Sequence, residues 1–321
     1  MSAAPLLEIR DLRVGFPVAG AMALAVRDVS LDVMPGEALG LVGESGSGKS
    51  VTALAAMRLV AHPGRILGGS IRLGGDDILA MDDKALRKMR GRRMAMVFQD
   101  PQTSLNPAFT IGQQIIDTIN AHRSLGRAQA RAEAIEVLAM VGIPAPERRL
   151  GSYPHEFSGG MRQRALIAMA IACRPQLLIA DEPTTALDVT VQAQVIALLR
   201  RLAQDLNLAV LFISHNLDLV AELCDRVVVM YAGKVMEAAP VDALFGAPRH
   251  PYTRLLQRCI PRFDGSRQPL SSIDGAPPVL GQAPPGCPFA PRCPDVEARC
   301  RVDEPPFRLV DGHHVACWIA S

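Results

Sequence analysis

No charge of one sign prevails in this chain. Its 34 basic residues stand against 32 acidic ones, a formal net charge of +2, so no global field draws it to nucleic acid or to an anionic membrane surface, and nucleic acid is not an expected partner. Long hydrophobic runs are missing too. Although 49% of the residues are hydrophobic, they fall in short segments such as 208–213 and 227–231, far below the roughly 18 apolar residues in a row that mark a membrane-crossing helix. The opening Met1-Ser2-Ala3-Ala4-Pro5 has neither a basic start nor an apolar stretch, so no secretory signal is expected and the cytoplasm is the default compartment. Seven cysteines are an odd number for a secreted disulfide framework, and a reducing compartment keeps unligated thiols free.

What is present suggests a chain of 321 residues with two or three compact units. Residues 6–42 read as short strands, with alternation at 7–10 and 30–33 and a buried-type run at 38–42 that ends in a glycine loop. Residues 52–60 turn helical, 71–73 return to strand, and 93–98 deliver Gln99 at a strand end, where open α/β sheets build sites. Residues 106–173 predict a helical insertion, clearest at 111–121 and 128–141, and from 177 to 230 strands and helices alternate as in a parallel sheet covered by helices. Composition changes near Pro240: residues 240–321 hold 14 of the 25 prolines, favouring extended, loop-rich structure. The expected domains are therefore 1–240, with a helical subdomain at about 106–173, and 241–321.

Three motifs carry chemistry. Gly43-Glu44-Ser45-Gly46-Ser47-Gly48-Lys49-Ser50 matches G-x-x-x-x-G-K-[ST] between a predicted strand and a predicted helix, the context that pattern requires. Its glycines let backbone N–H groups approach phosphate oxygens, Lys49 would neutralise the β and γ phosphates, Ser50 would ligate magnesium, and Val51 closes the candidate contact set. Asp181 and Glu182 end the apolar run 177–180: Asp181 can hold magnesium directly or through water, and Glu182 is the candidate general base for an attacking water. Such a pair can also cap a helix, but Pro183-Thr184-Thr185 delays the next one to about Val189. Ser158-Gly159-Gly160 opens a helical run, either as a second anion-binding turn or as an ordinary serine N-cap.

In order and spacing, the glycine loop, Gln99, Phe157-Ser158-Gly159-Gly160-Met161, Asp181-Glu182, Ala186-Leu187-Asp188 and His215 resemble the nucleotide-binding subunits of ATP-binding cassette (ABC) transporters, over residues 6 to about 240. The resemblance implies an α/β P-loop NTPase with an N-terminal antiparallel β layer, a helical insertion and a small loop-rich C-terminal extension, using ATP and Mg2+. It implies that Gln99 serves the magnesium site and links it to the membrane partner, and that Ser158, Gly159, Gly160 and Met161 are the signature that meets the γ-phosphate on an opposite subunit. Asp188 would lie across that dimer interface and His215 would contact the γ-phosphate. Phe16 is either the aromatic that stacks on adenine or an edge-strand core residue. Phe157 stands where the family commonly has Leu, and Met161 where it commonly has Gln; the phosphate contacts come mainly from the serine and the glycine backbone, so both changes should be tolerated.

A narrower resemblance follows from residues 98–107, 153–157 and 180–194, which look like the oligopeptide and dipeptide importer branch, in the form of the first of two paired ATPases. It implies a heterodimer with a second ATPase, two transmembrane permease subunits, indirect service to an extracytoplasmic solute-binding protein, and a peripheral location at the cytoplasmic face of the inner (plasma) membrane. Peptides are the expected cargo, with nickel or glycosides as alternatives; a soluble ABC ATPase without a transport role is a further alternative. His250-Pro251-Tyr252-Thr253 and Cys287-Pro288-Phe289-Ala290-Pro291-Arg292-Cys293 resemble the branch's C-terminal extension, in whose cysteine-bearing members four thiolates bind a [4Fe-4S] cluster. The C-x5-C-x6-C-x16-C spacing of Cys287, Cys293, Cys300 and Cys317 offers four soft ligands for a cluster or for zinc, or four free thiols. With four cysteines filling a site, His313 and His314 are expected at the surface.

Overall fold

The computed structural model describes residues 4–99, 104–185, 187–259 and 272–320; Asp100, Pro101, Gln102, Thr103 and Ala186 of the motifs above lie outside the described residues. Along the chain the strands are β1 (Leu7–Val18), β2 (Ala21–Val33), β3 (Ala38–Val42), β4 (Arg65–Leu73), β5 (Asp76–Asp77), β6 (Met94–Val97), β7 (Leu177–Asp181), β8 (Ala209–Ser214), β9 (Arg226–Tyr231), β10 (Lys234–Pro240), β11 (Arg308–Val310) and β12 (His313–Val315). By internal contacts the chain divides into two units. The first comprises Met1–Leu6, Met34–Glu37 and Ala80–Phe212; the second comprises Leu7–Val33, Ala38–Leu79 and Ile213–Ser321, with Pro240 inside it.

In the first unit the strands run β8-β7-β6, and β6 pairs with β7 in parallel from Met94 opposite Leu177 to Val97 opposite Ala180. Every residue of β7 and β8 is buried, as their unbroken apolar runs require of strands covered on both faces. The helical insertion packs helices Ile111–His122, Arg127–Met140 and Gly159–Ile171 together. Ile111, Ile115 and Ile119 form one buried stripe at four-residue spacing, each contributing roughly 1.5–3 kcal/mol by burial. Buried Ala130 and Ala134 give the next helix a narrow contact face. Thr110 starts the first of these helices, its hydroxyl accepting from the Gln113 N–H at 3.2 Å. Among the described residues no helix is long and apolar enough to cross a membrane.

In the second unit an antiparallel sheet runs β2-β1-β4-β5. Ala19 and Gly20, both at positive φ (48° and 84°), join β1 to β2 in the two-residue turn whose twist suits a hairpin. Register shifts between Ile9 and Leu12 and between Leu12 and Val14 interrupt the alternation of β1, which is why the pattern showed only the outer ends of strands 12 and 13 residues long. The unit's other strands run β11-β12-β10-β9-β3, parallel between β3 and β9 and antiparallel elsewhere.

Glu237 of β10 is fully buried. Its carboxylate accepts from the backbone N–H groups of Arg249 (2.8 Å) and His250 (3.0 Å) and meets Nδ1 of His313 at 2.8 Å. His313 is only 2% exposed, so its expected surface position is corrected: pairing β12 with β10 turns this ring inward onto a carboxylate that needs a partner. His314, its strand neighbour, points the other way, exposed and stacked on Phe307.

Candidate active site and cysteine cavity

The glycine loop leaves β3 and enters helix Lys49–Ala56. Gly43 has a φ of 149°, and a Cβ there would stand 2.1 Å from the Met230 carbonyl oxygen; Gly48 has a φ of 101°, and its Cβ would meet the Ala25 carbonyl at 2.7 Å. Neither position admits a side chain, so the backbone itself faces the loop's interior. Gly48 is the N-cap and supplies no side-chain hydrogen bond; helix starts reached from a glycine loop are places where anions bind. Lys49 is buried at 5% exposure, its Nζ donating to the carbonyls of Gly43 (2.7 Å) and Glu44 (2.9 Å) and to Ser47 Oγ (3.3 Å). The loop's own oxygens thus hold the ammonium in place. Ser45 and Gly46 are exposed at the crest, and Ser50 and Val51 are partly buried on the helix.

Glu44 is tied down on both ends. Its N–H donates to the Tyr252 hydroxyl at 2.9 Å, and its carboxylate takes a two-pronged ion pair from Arg292 at 2.6 and 3.0 Å. Tyr231, Tyr252 and Phe289 pack edge-on or tilted with centroids 4.7–5.3 Å apart beside this contact. Burial pushes the Tyr252 phenol above its ordinary value. Phe16 is half-buried in β1, its ring against Gly64, where a Cβ would lie 2.4 Å from Cε1. His215, just past β8, is exposed.

In the first unit, β7 delivers Asp181, 6% exposed, and then Glu182 at a φ of 46°, a left-handed conformation that costs a non-glycine residue about 1–3 kcal/mol. Glu182 Oε2 accepts from Gln99 Nε2 at 3.0 Å and from Thr185 Oγ1 at 2.9 Å. Two candidates 83 residues apart therefore share a hydrogen bond. Ser158 caps helix Gly159–Ile171, its Oγ accepting from the Met161 N–H at 3.3 Å. Ser158 and Gly159 are exposed while Phe157 is buried, so the Phe-for-Leu change sits in the core rather than at the turn's surface. Asp188 caps helix Val189–Leu206, accepting from the Val191 N–H at 2.9 Å, and remains exposed.

Cys287, Cys293, Cys300 and Cys317 line one small apolar cavity with His250, Phe289 and Trp318. None is in a disulfide. Burial pushes the Cys287 and Cys293 thiols up to about 11, so both are neutral near pH 7 and a metal that binds them must displace protons. Among the described residues no three His, Cys, Asp or Glu side chains form a ready single-ion site.

Tyr252, Arg292 and Thr185 stand in motifs named above and Tyr231 ends a strand, but no local pattern marks any of the four as a site residue. One signal was available: Glu44 is an acid in a loop built for anions and needs a cation nearby, although nothing local names which of the 34 basic residues supplies it.

Residues 26–185 match the family model for the ABC transporter, and residues 236–300 match the model for the oligopeptide/dipeptide transporter, C-terminal region. A putative peptide import ATP-binding protein of Brucella melitensis is 50% identical over 98% of this chain and 96% of its own length. The dipeptide transport ATP-binding protein DppD of Escherichia coli is 49% identical over 97% of this chain and 96% of its own. Among solved structures, the dimeric ATP-binding cassette MJ0796 in a post-hydrolysis state with ADP and Pi is 26% identical with a TM-score of 0.65, covering 73% of this chain and 98% of its own. The fold is shared as well with cbiO1 from Clostridium perfringens, TM-score 0.66 over 76% of this chain and 91% of that one, at 23% identity. The chain belongs to the ATPases of ABC transporters, energy-coupling subunits that drive transmembrane permeases by ATP hydrolysis, in the branch that carries the oligopeptide/dipeptide C-terminal region.

Proposed function

We propose that this ATPase powers the import of di- or oligopeptides. The cargo is supported by the C-terminal region matched at residues 236–300 and by relatives named for peptide or dipeptide transport. Selection of the peptide falls to an extracytoplasmic solute-binding protein and two permease subunits; this chain supplies the energy. It works as a peripheral subunit at the cytoplasmic face of the inner membrane, in a heterodimer with a second, paired ATPase.

In that role the loop Gly43 to Val51 cradles the triphosphate, Lys49 neutralises its β and γ phosphates, and Phe16 stacks on adenine. Ser50, Gln99 and Asp181 would hold magnesium, which when bound neutralises charge on the phosphate oxygens. Glu182 takes a proton from the water that attacks the γ-phosphorus as the bond to the ADP oxygen breaks, and His215 contacts the γ-phosphate. The observation that carries this mechanism is Glu182 itself, held in a left-handed turn with Gln99 and Thr185 both donating to Oε2. Ser158, Gly159, Gly160 and Met161 meet the γ-phosphate of a nucleotide bound on the paired subunit, and Asp188 lies at that contact. Cys287, Cys293, Cys300 and Cys317 would hold a [4Fe-4S] cluster, which when bound cross-links the tail through four iron–sulfur bonds.

The test is reconstitution of the chain with its permease subunits, paired ATPase and solute-binding protein in proteoliposomes. Peptide-loaded binding protein should accelerate ATP hydrolysis. Stimulation by nickel or a glycoside, with none by peptides, would move the cargo to those classes.

A further inference from the structure

Arg292 stands immediately before Cys293, at the end of the short turn Ala290–Arg292, yet its side chain is spent on the phosphate loop. The guanidinium has five N–H donors, and five contacts meet them. Nη1 donates to Glu44 Oε2 at 2.6 Å and to the Tyr231 hydroxyl at 3.2 Å; Nη2 donates to Glu44 Oε1 at 3.0 Å and to the Ile273 carbonyl at 3.1 Å; Nε donates to the Asp274 carbonyl at 2.9 Å. The side chain is 5% exposed. A planar fork so fully bonded and buried has one position open to it, and it fixes the carboxylate that it grips.

That carboxylate belongs to the second residue of the phosphate loop. The Glu44 carbonyl accepts from Lys49 Nζ at 2.9 Å, and the Glu44 N–H donates to the Tyr252 hydroxyl at 2.9 Å. Backbone and side chain of one loop residue are thus anchored by two residues of the C-terminal region, 208 and 248 positions away. A carboxylate in a loop that receives a triphosphate repels its ligand unless it is turned aside and neutralised. Arg292 does both.

We propose that Arg292 is a positioning residue for ATP: by holding and neutralising Glu44 it sets the phosphate loop and Lys49 for the triphosphate, so the C-terminal region is a working part of the nucleotide site. The inference rests on the reading of Gly43 to Val51 as the phosphate loop. It requires nothing of the cysteine cavity's contents.

The test compares equilibrium binding of a fluorescent ATP analogue, and the separate kcat and KM of hydrolysis, in the full-length chain and its variants. Arg292→Ala should weaken ATP binding about 5- to 150-fold, the usual span of coupling between linked sites, with the loss in KM rather than kcat. In a Glu44→Gln background, where there is no charge to neutralise, the same replacement should cost severalfold less. Arg292→Lys keeps the charge but not the fork and should recover part of the affinity. Unchanged affinity in Arg292→Ala, or an equal loss in both backgrounds, overturns the proposal. If the alanine variant does not fold, the lysine variant decides: affinity between the parent's and a loss of several fold supports the role, and parental affinity refutes it. Lys49→Ala separates the two readings. Should it bind ATP normally, the phosphate-loop reading fails; should it weaken while the Arg292 variants do not, only the present inference fails.

Discussion

Replacing Glu237 by alanine should detach the C-terminal strands. The carboxylate has no exposure and faces two backbone N–H donors and the Nδ1 of His313 at 2.8–3.0 Å. Alanine leaves all three without that acceptor, two of them buried, at about 1–3 kcal/mol for each unsatisfied group, partly offset because the buried carboxylate no longer has to be desolvated. The net cost is then about 3–5 kcal/mol, a large share of the roughly 5–15 kcal/mol that holds a domain together. The chain contains a built-in probe: Trp318 is its only tryptophan, its Nε1 donates to the Asp303 carbonyl at 3.0 Å, and the Arg299 guanidinium lies 3.4 Å from its ring centroid. Urea unfolding followed by Trp318 fluorescence therefore reports the tail. With a slope of about 3 kcal/mol/M, the midpoint should fall by about 1–1.7 M. His313→Ala removes only one of the three contacts and should shift it less. A midpoint for Glu237→Ala within about 0.1 M of the parent's would refute the reasoning, since it would mean that the three donors find other acceptors without cost.

Glu182→Gln keeps the shape and the Gln99 contact but removes the base; turnover should fall about 10²–10⁴-fold with ATP binding retained, and normal steady-state hydrolysis would remove Glu182 from that role. Lys49→Ala should raise the Kd for ATP, measured by calorimetry, because the loop loses the cation held by Gly43 and Glu44. Anaerobic purification followed by iron and sulfide analysis should give a 4:4 ratio per chain if the cysteine cavity holds a cluster; zinc without sulfide would end that idea. Serine at Cys300, which is buried on the cavity wall, should abolish that iron and sulfide.

How much of this was open to a reader of the sequence depends on how local each cause is. The alternation from β7 to β9 was legible because fully covered parallel strands must be unbroken apolar runs, and Ser158 announced its helix because N-capping involves a residue and the amide three positions on. The glycine loop was legible because its backbone excludes side chains at Gly43 and Gly48. The full length of β1 was hidden by register shifts that break period-two patterning. The burial of His313 and the grip of Arg292 on Glu44 were hidden for a different reason. Their partners lie 76 and 248 residues away, and no short pattern encodes a meeting that only the finished topology arranges.

The pairing of β12 with β10 also sets an order of events in synthesis. Glu237 emerges from the ribosome 76 residues before His313, and until that histidine is made its buried carboxylate lacks one of its three partners. A polypeptide that stops short of β12 would leave this acid stranded beneath a missing strand, a species that quality-control proteases should clear before it reaches a permease.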